Sequence, residues 1–369
     1  MWIILYGRRI QSTRMDHVMK RKLQGIIVPL LTALETPETF DRKGCAGLIE
    51  HVISGGVDGI FILGSTGEGP ALSRSVQREL IELAVEQVAG RVPLLAGISG
   101  ASGADSLELG KFAANSGVDA LVAAPPCYLP PDQEEQVEYF RRLAGECGSP
   151  LFLYNMPALT RVMLTPETVI RLASVENIVG CKDSSGDLTF FGTLVRELGS
   201  RDDFTLLTGP EELLAESVRM GGDGGVNGGA NLCPELFASL YRALRDSDSE
   251  QVRRLQAEVL ELGKLYRSRP GAACSKTSSP SPRFRSGELC LRRPGALRPP
   301  VPPTGKVPAP GTVLNFYCVK IAKPGVLSIG LSALSALLRT GTLPVVIQRR
   351  KRWPPEATCA RSAQLPEPD

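Results

Sequence analysis

Histidine is nearly missing from this chain, with only His17 and His51 among 369 residues. A zinc-dependent mechanism would want several imidazole ligands, so a metal-centred reaction is not expected. With so few imidazoles, tyrosine becomes the candidate proton carrier. The nine cysteines (Cys45, Cys127, Cys147, Cys181, Cys233, Cys274, Cys290, Cys318 and Cys359) are scattered, with no C-x-x-C pair and no histidine at metal-ligand spacing. That pattern argues against a metal-clasped fold and fits reduced thiols in a cytoplasmic protein. No GxGxxG follows the first strand pattern, which speaks against a dinucleotide-binding doubly wound sheet, the structural alternative for a chain of this kind. No apolar run reaches membrane-spanning length, and Trp2-Ile3-Ile4-Leu5-Tyr6 is too short for a signal-peptide core. No membrane association is expected, and translation is expected to start at either Met1 or Met19, the latter just before the first strand pattern.

What the chain does have is enough apolar character, 43% of residues, for a sizeable core. The net charge of +3 conceals a division: residues 1–267 carry 26 Lys+Arg against 35 Asp+Glu, and residues 268–369 carry 16 against 4. Sixteen of the 29 prolines also fall in that last segment. Two compositionally different pieces therefore meet near Arg267 to Pro270.

From Gly25 onwards short apolar runs alternate with amphipathic stretches of helical length. The predicted strands are Gly25–Thr32, Gly59–Gly64, Pro93–Ile98, Ala120–Ala124, Pro150–Asn155, Ile178–Lys182, Phe204–Thr208 and Gly225–Asn227. Helical patterns lie between them at Asp41–Ser54, Ser73–Val88, Ala104–Asn115, Asp132–Cys147, Thr165–Ser174, Asp187–Leu198 and Pro210–Met220, and Cys233–Asp246 completes the series. Eight strand-helix units in this order predict an α/β fold, a (β/α)8 TIM barrel over residues 25–248, preceded by an extension over 1–24. One further amphipathic helix is expected within 249–267. Ser268–Pro310 is rich in Ser, Pro, Arg and Gly without a helical or strand period, so a disordered basic tail is expected over 268–369. Val326–Leu338 is apolar but too short to span a membrane. Arg349-Arg350-Lys351-Arg352 reads either as a nucleic-acid or nuclear-import contact or as a solvated run; short basic runs are common, so nucleic acid is not an expected partner.

In a barrel of this kind chemistry sits where strands end and loops begin. The sixth predicted strand ends on Lys182, after a run that reads as buried on both faces. Desolvating an ammonium there costs several kcal/mol unless it is paired or neutralised, and an amine that loses its proton can attack a carbonyl to form a Schiff base. The other reading makes Lys182 the first solvated residue after a strand. The fifth strand ends Tyr154-Asn155-Met156-Pro157, the fourth Pro125-Pro126-Cys127-Tyr128, and the second Gly64-Ser65-Thr66-Gly67-Glu68-Gly69. Fifth and sixth strands are adjacent in order, so Tyr154 is expected about one strand spacing, roughly 5 Å, from Lys182. Tyr154 is alternatively a packed strand aromatic, Ser65-Thr66 a helix cap with Glu68, and Gly224–Gly229 a tight turn.

Three of these segments, Gly64-Ser65-Thr66-Gly67-Glu68, Tyr154-Asn155-Met156-Pro157-Ala158-Leu159-Thr160 and Gly180-Cys181-Lys182-Asp183-Ser184-Ser185-Gly186, resemble in order and spacing the dihydrodipicolinate synthase / N-acetylneuraminate lyase family. The likeness runs from about Gly25 to Arg267. It implies a class I aldolase or lyase, usually a homotetramer, whose lysine forms an imine with pyruvate and which needs no metal or other cofactor. Carried over by motif, the resemblance makes Lys182 the imine-forming residue and Tyr154 the proton-transfer phenol. It makes Ser65 and Thr66 the carboxylate-binding hydroxyl pair, Ser65 also linking a relay to Tyr154. Tyr128 matches a tyrosine that in many members completes the relay of a neighbouring subunit, and Val226 matches a residue lining the pyruvate pocket. Small-molecule partners, pyruvate and an aldehyde, and a homo-oligomer, dimer or tetramer, are implied.

The aldehyde partner is set apart by one position. Dihydrodipicolinate synthases typically carry an arginine two residues after the proline of the fifth-strand motif, where it holds the second substrate's carboxylate; here that residue is Leu159. Pro157-Ala158-Leu159-Thr160 is more similar to N-acetylneuraminate lyases and 2-keto-3-deoxy-sugar-acid aldolases, and an apolar side chain does not replace a bidentate clamp. Arg161 is not expected to substitute for it. The alternatives are a 4-hydroxy-tetrahydrodipicolinate synthase of lysine biosynthesis, and, from another class, an inactive barrel serving as a binding or regulatory protein. Residues 268–369 do not resemble the helices that normally end such chains. A shift in charge and proline at one point is what a frameshifted or mispredicted reading frame produces, with a genuine basic interaction tail as the competitor.

Overall fold

The computed structural model describes residues 22–36 and 39–267, together with two short strands at 288–292 and 316–320. The expectations placed on the N-terminal extension, on Met19, on Val326–Leu338, on the basic cluster at Arg349 and, apart from the two short strands, on the disorder and reading frame of residues 268–369 lie outside the described residues. The strands in chain order are β1 Gly25–Pro29, β2 Leu34–Thr36, β3 Thr39–Phe40, β4 Gly59–Ile62, β5 Leu94–Gly97, β6 Ala120–Ala123, β7 Leu151–Asn155, β8 Ile178–Asp183, β9 Thr205–Thr208, β10 Gly224–Val226, β11 Glu288–Arg292 and β12 Phe316–Lys320. Eight of them close into a barrel in the order β1-β10-β9-β8-β7-β6-β5-β4, every pair parallel. The predicted TIM barrel is thus the fold. β2 and β3 form a small antiparallel ribbon after β1. β11 and β12 also pair antiparallel, a pairing absent from the sequence reading, which found no strand period between Ser268 and Pro310.

Pleating sorts the strand residues into two cores. Ile27, Phe61, Leu95, Val122, Phe152, Tyr154, Leu207 and Val226 pack together inside the barrel. Their neighbours Ile26, Val28, Ile60, Ile62, Leu151, Leu153 and Cys181 belong to the larger layer between strands and helices. Successive side chains on a strand point to opposite faces, and strands buried on both sides read as continuous apolar runs, which is why the runs were readable in the sequence.

The helices are α1 Arg42–Ser54, α2 Arg74–Val88, α3 Gly103–Ser116, α4 Gln133–Cys147, α5 Pro157–Thr160, α6 Pro166–Leu172, α7 Leu188–Leu198, α8 Leu214–Arg219, α9 Pro234–Arg245 and α10 Ser249–Arg267. Asp41, Ser73, Asp132, Thr165 and Asp187, which the sequence reading counted as first helical residues, are N-caps whose side chains accept from N–H groups of the first turn. Such caps satisfy donors that the helix itself leaves open. The long pattern at Pro210–Met220 divides into a short 3-10 turn, Glu211–Leu213, and α8.

At the base of the barrel one arrangement recurs. Asp58, Asp119 and Asp223 each directly precede a strand, within Gly56-Val57-Asp58, Gly117-Val118-Asp119 and Gly221-Gly222-Asp223. The backbone N–H of each donates to the carbonyl of a residue on the preceding barrel strand: Asp58 to Ile26 (2.9 Å), Asp119 to Leu94 (2.9 Å) and Asp223 to Leu206 (2.8 Å). The N–H of that same residue donates back to the aspartate carboxylate at 2.8 Å in all three cases. Each aspartate is thus a two-point clamp on the face that in such barrels serves stability. Asp58→Ala leaves the Ile26 N–H without its acceptor and should cost about 1–3 kcal/mol. Urea unfolding followed by circular dichroism should show a lower midpoint with an unchanged slope.

Candidate active site

Lys182 and Tyr154 are register partners on β8 and β7. The lysine side chain is 6% exposed. Cys181 takes the outer face, so the pleat turns Lys182 inward beside Tyr154. Its Nζ lies 4.0 Å from the centroid of the Tyr154 ring and 5.1 Å from that of Phe61, and the two rings meet edge to face at 6.5 Å. Aromatic faces attract a desolvated cation. The expectation that Lys182 and Tyr154 stand one strand spacing apart is met, and the reading of Lys182 as the first solvated residue fails on its burial.

The Tyr154 hydroxyl is 3.3 Å from Ser65 Oγ. Burial pushes this phenol up, but the charge of Lys182 beside it and contacts with Ser65, Lys182 and Ser184 outweigh burial and hold it below the usual phenol range. Burial pushes Tyr139, which among the described residues has no amine beside it, up to about 12, and raises Tyr241 over the opposing charge of Arg245. Tyr154 is therefore suited to exchange a proton with a group close to the lysine.

Ser65 and Thr66 sit on the turn that leaves β4. Leu63, just before it, has φ of 58°, and a Cβ at Gly69 would sit 2.0 Å from the Leu63 carbonyl oxygen, so only glycine fits there. Positive φ in a leucine is an unfavourable conformation that must be held by its surroundings. Holding it are Gly69 N–H to Gly64 O (3.1 Å) and Glu68 N–H to Ser65 O (3.1 Å), with Thr32 Oγ1 donating to Gly67 O at 2.7 Å. Among the described residues no backbone carbonyl accepts from the N–H groups of Ser65 and Thr66. Ser65 is half-buried and Thr66 exposed, so these two amides and hydroxyls form a donor cluster of the kind that holds an anion.

Val226 ends β10 inside the barrel and is 4% exposed. The turn after it is held from two sides. Asn231 accepts from Leu31 N–H (3.1 Å) and donates to Pro29 O and Gly228 O (2.9 Å each). Glu211 accepts from Gly229 N–H; burial raises this carboxyl, opposed by the N–H groups of Gly229 and Gly228. Leu159 lies half-buried on α5. Its loop is tied by Thr160 Oγ1 to Met156 O (3.1 Å) and Val162 O (2.8 Å). Arg161 follows with φ of 57° and is exposed.

Within one chain the structure gathers Lys182, Tyr154 and Ser65, with Thr66 next to Ser65 and Val226 in the same interior core as Tyr154. It does not bring Tyr128 to Tyr154: Tyr128 is 84% exposed and its neighbour Leu129 78%. Sequence reasoning missed Phe61 and Ser184 as site residues. A Cβ at Gly209 would meet Ser184 Oγ at 2.0 Å, so the serine lies directly over that glycine. The signal for Ser184 was its place two residues after Lys182.

The sequence matches the model of the Dihydrodipicolinate synthetase family over residues 22–294. The chain belongs to that family. Members are class I, pyruvate-dependent lyases and aldolases, and this chain is an enzyme of that class. It is 43% identical to the dihydrodipicolinate synthase of Bacteroides thetaiotaomicron, with a TM-score of 0.64 over 67% of this chain and 83% of that one. It is 32% identical to YagE of Escherichia coli K12, a family member solved in complex with pyruvate, with the same TM-score and coverage. It is 35% identical to the probable 2-dehydro-3-deoxy-D-pentonate aldolase YjhH of Escherichia coli K12, over 67% of this chain and 82% of that protein.

Among the described residues no group of three or more His, Cys, Asp or Glu side chains is placed to hold a metal ion, and no helix is long and apolar enough to cross a membrane. Ultraviolet titration at the phenolate band should find one tyrosine ionising below the ordinary range. In Lys182→Met, burial acts on Tyr154 without the opposing charge, and that transition should move to higher pH than in the wild type.

Proposed function

We propose that Lys182 condenses with pyruvate and that the enzyme forms or cleaves a 2-keto-3-deoxy-sugar acid or an N-acetylneuraminate-type substrate. The observation that carries the chemistry is the buried Lys182 amine against the Tyr154 ring, with Ser65 on the phenol. In this reading the neutral amine attacks C2 of pyruvate, one amine proton passes through Tyr154 to the carbonyl oxygen, and the hydroxyl so formed takes the Tyr154 proton and leaves as water, so that a protonated imine and a phenolate remain. The protonated imine is an electron sink, so the Tyr154 phenolate takes a C3 proton and an enamine forms. The enamine attacks an aldehyde carbon whose oxygen takes the proton back from Tyr154, and water hydrolyses the imine to release product and free Lys182; the reverse sequence is the cleavage. Ser65 and Thr66 hold the pyruvate carboxylate through N–H and hydroxyl groups. No cofactor is called for, because the imine itself supplies the electron sink.

The substrate class rests on Leu159, and the similarity to an Escherichia coli 2-dehydro-3-deoxy-D-pentonate aldolase supports it. A second reading, 4-hydroxy-tetrahydrodipicolinate synthase with aspartate semialdehyde as acceptor, is favoured by the 43% identity to the Bacteroides synthase. The exposed Tyr128 and Leu129 support a homo-oligomer, dimer or tetramer, in which this loop meets a second copy. Free thiols at Cys45, Cys127, Cys147, Cys181 and Cys233 support a reducing, cytoplasmic setting.

Incubation with pyruvate and borohydride should add mass to the Lys182 peptide, and Lys182→Met should abolish it. Tyr154→Phe should lower kcat by about 10²–10⁴-fold, the usual worth of a positioned proton carrier. Sugar-derived aldehydes should be better acceptors than aspartate semialdehyde; the opposite order would establish the second reading. No adduct on any lysine would overturn the enzymatic assignment of the site and leave a binding barrel.

A further inference from the structure

Taking the barrel strands in chain order as odd and even, four seams join an odd strand to the even strand that follows it. Three of them, β1 with β4, β5 with β6 and β9 with β10, are tied at the base by the clamps of Asp58, Asp119 and Asp223. The fourth seam is β7 with β8, which carries Tyr154 and Lys182. Immediately before β8 stands Asn177, whose carbonyl accepts from Leu151 N–H at 2.7 Å while its side chain donates to Ala144 O at 3.4 Å. No carboxylate returns to the strand there. The pairing then shifts by one residue: Leu151 faces Ile178, but Phe152 faces Gly180. A one-residue slip exchanges the two faces of a strand, so on β8 it would exchange Lys182 with Cys181 or Asp183.

One residue above the site, the same seam is tied from the top. Asn155 Nδ2 donates to Asp183 Oδ1 at 2.8 Å, and the two side chains are 0% and 3% exposed. Asn155 Oδ1 accepts from Leu164 N–H at 3.1 Å, and Asp183 accepts from Ser185 N–H (3.2 Å) and Ser185 Oγ (2.9 Å). The backbone agrees, with Ser184 N–H on Asn155 O (2.8 Å) and Gly209 N–H on Asp183 O (2.7 Å). By pleat alternation both side chains point away from the interior that holds Tyr154 and Lys182.

We propose that the Asn155–Asp183 hydrogen bond is the register lock of the catalytic seam, a positioning pair that keeps Lys182 opposite Tyr154 where the base clamp is missing. The pair also ties the loop bearing Leu159 to the same point, through Leu164. It rests on the imine reading above for its catalytic consequence. The groups facing Asp183 are the neutral Asn155 from β7, Ser185 and the charged Asp187 from its own following turn, and the uncharged Thr208, its register partner on β9. Burial raises the Asp183 carboxyl, the bonds from Asn155 and Ser185 oppose this, and Asp187 adds to the rise.

The test uses the full chain and reads the rate of the borohydride-trapped pyruvate adduct on Lys182, per folded protein, across pH, with a melting temperature for every variant. Asn155→Asp sets two carboxyls face to face. While they share a proton the hydrogen bond survives; as pH rises and that proton leaves, repulsion opens the seam. The trapping rate should then fall about tenfold to hundredfold below the wild type at alkaline pH, the scale of a misplaced reacting group, and recover at acid pH. Asn155→Asp combined with Asp183→Asn swaps acceptor and donor and should restore the wild-type rate and profile. A wild-type pH profile in Asn155→Asp, or no recovery in a double variant that melts like the wild type, overturns the lock. If Asn155→Asp does not fold, Asn155→Ser, too short to reach Asp183, should slow trapping at every pH, and an unchanged rate overturns the lock. If the wild type traps no pyruvate, the imine reading fails, and the lock is read by ultraviolet titration of Tyr154. That transition should move up as the pair is broken and return in the double variant; a fixed transition overturns the lock.

Discussion

The pairing of Tyr154 with Lys182 across β7 and β8 puts an amine and a phenol into an interior whose other walls include Phe61, Phe152, Leu207 and Val226. Removing a charge from water is expensive, and the aromatic faces at 4.0 and 5.1 Å return only part of that loss. An apolar residue in place of Lys182 would fill the same space without the desolvation penalty, so the lysine is a burden on stability that its proposed chemistry explains. The same low-polarity surroundings make the pair responsive. With water excluded, the charge of Lys182 acts strongly on the phenol, and this lets Tyr154 sit below its usual range despite being buried.

That burden is carried by a scaffold whose two ends do different work. At the base, Asp58, Asp119 and Asp223 each close a seam with a reciprocal pair of hydrogen bonds, and no described residue of the proposed site belongs to this set. At the top, the chain accepts unfavourable conformations, with Leu63, Glu68 and Arg161 all at positive φ on turns that flank the site. Such conformations persist only where neighbouring contacts over-determine them. The contacts of Thr32, Gln77 and Thr160 with nearby carbonyls supply that restraint. The proposed site is thus built on turns held by neighbouring polar contacts, which suits a reaction that depends on placement.

The barrel was legible because parallel strands buried on both faces write themselves as apolar runs, and Lys182 was legible because such a run ended on a charge. Caps were visible as residues but misassigned as helix: Asp132 and Thr165 belong to turn and helix at once, and periodicity alone does not separate them. β2, β3 and α5 are too short to carry a period. Ser184 lies within the Gly180–Gly186 motif, yet its place over Gly209 depends on a residue that follows another strand, β9. The Asn155–Asp183 bond joins residues 28 positions apart, and the bulge in β8 that gives it importance depends on strand registry, which single-strand patterns do not contain. Tyr128 illustrates the opposite limit: the contact expected of it is with a second copy, and within one chain it is 84% exposed.

Discrimination between acceptors follows, on the proposed reading, from how the Leu159 loop is held. Thr160 and Asn155 tie that loop through polar contacts that do not involve the side chain at 159, so the residue there can change without the loop changing. The difference between a leucine and an arginine is then a difference in chemistry at a fixed place. A site with donors for a carboxylate rejects a substrate lacking one, because its buried donors go unpaired; a site with leucine rejects a carboxylate because the anion loses water and gains no partner. The second penalty applies before any contact with the aldehyde carbon is made. It therefore acts mainly on binding of the acceptor and leaves the lysine, the phenol and the first half-reaction with pyruvate untouched.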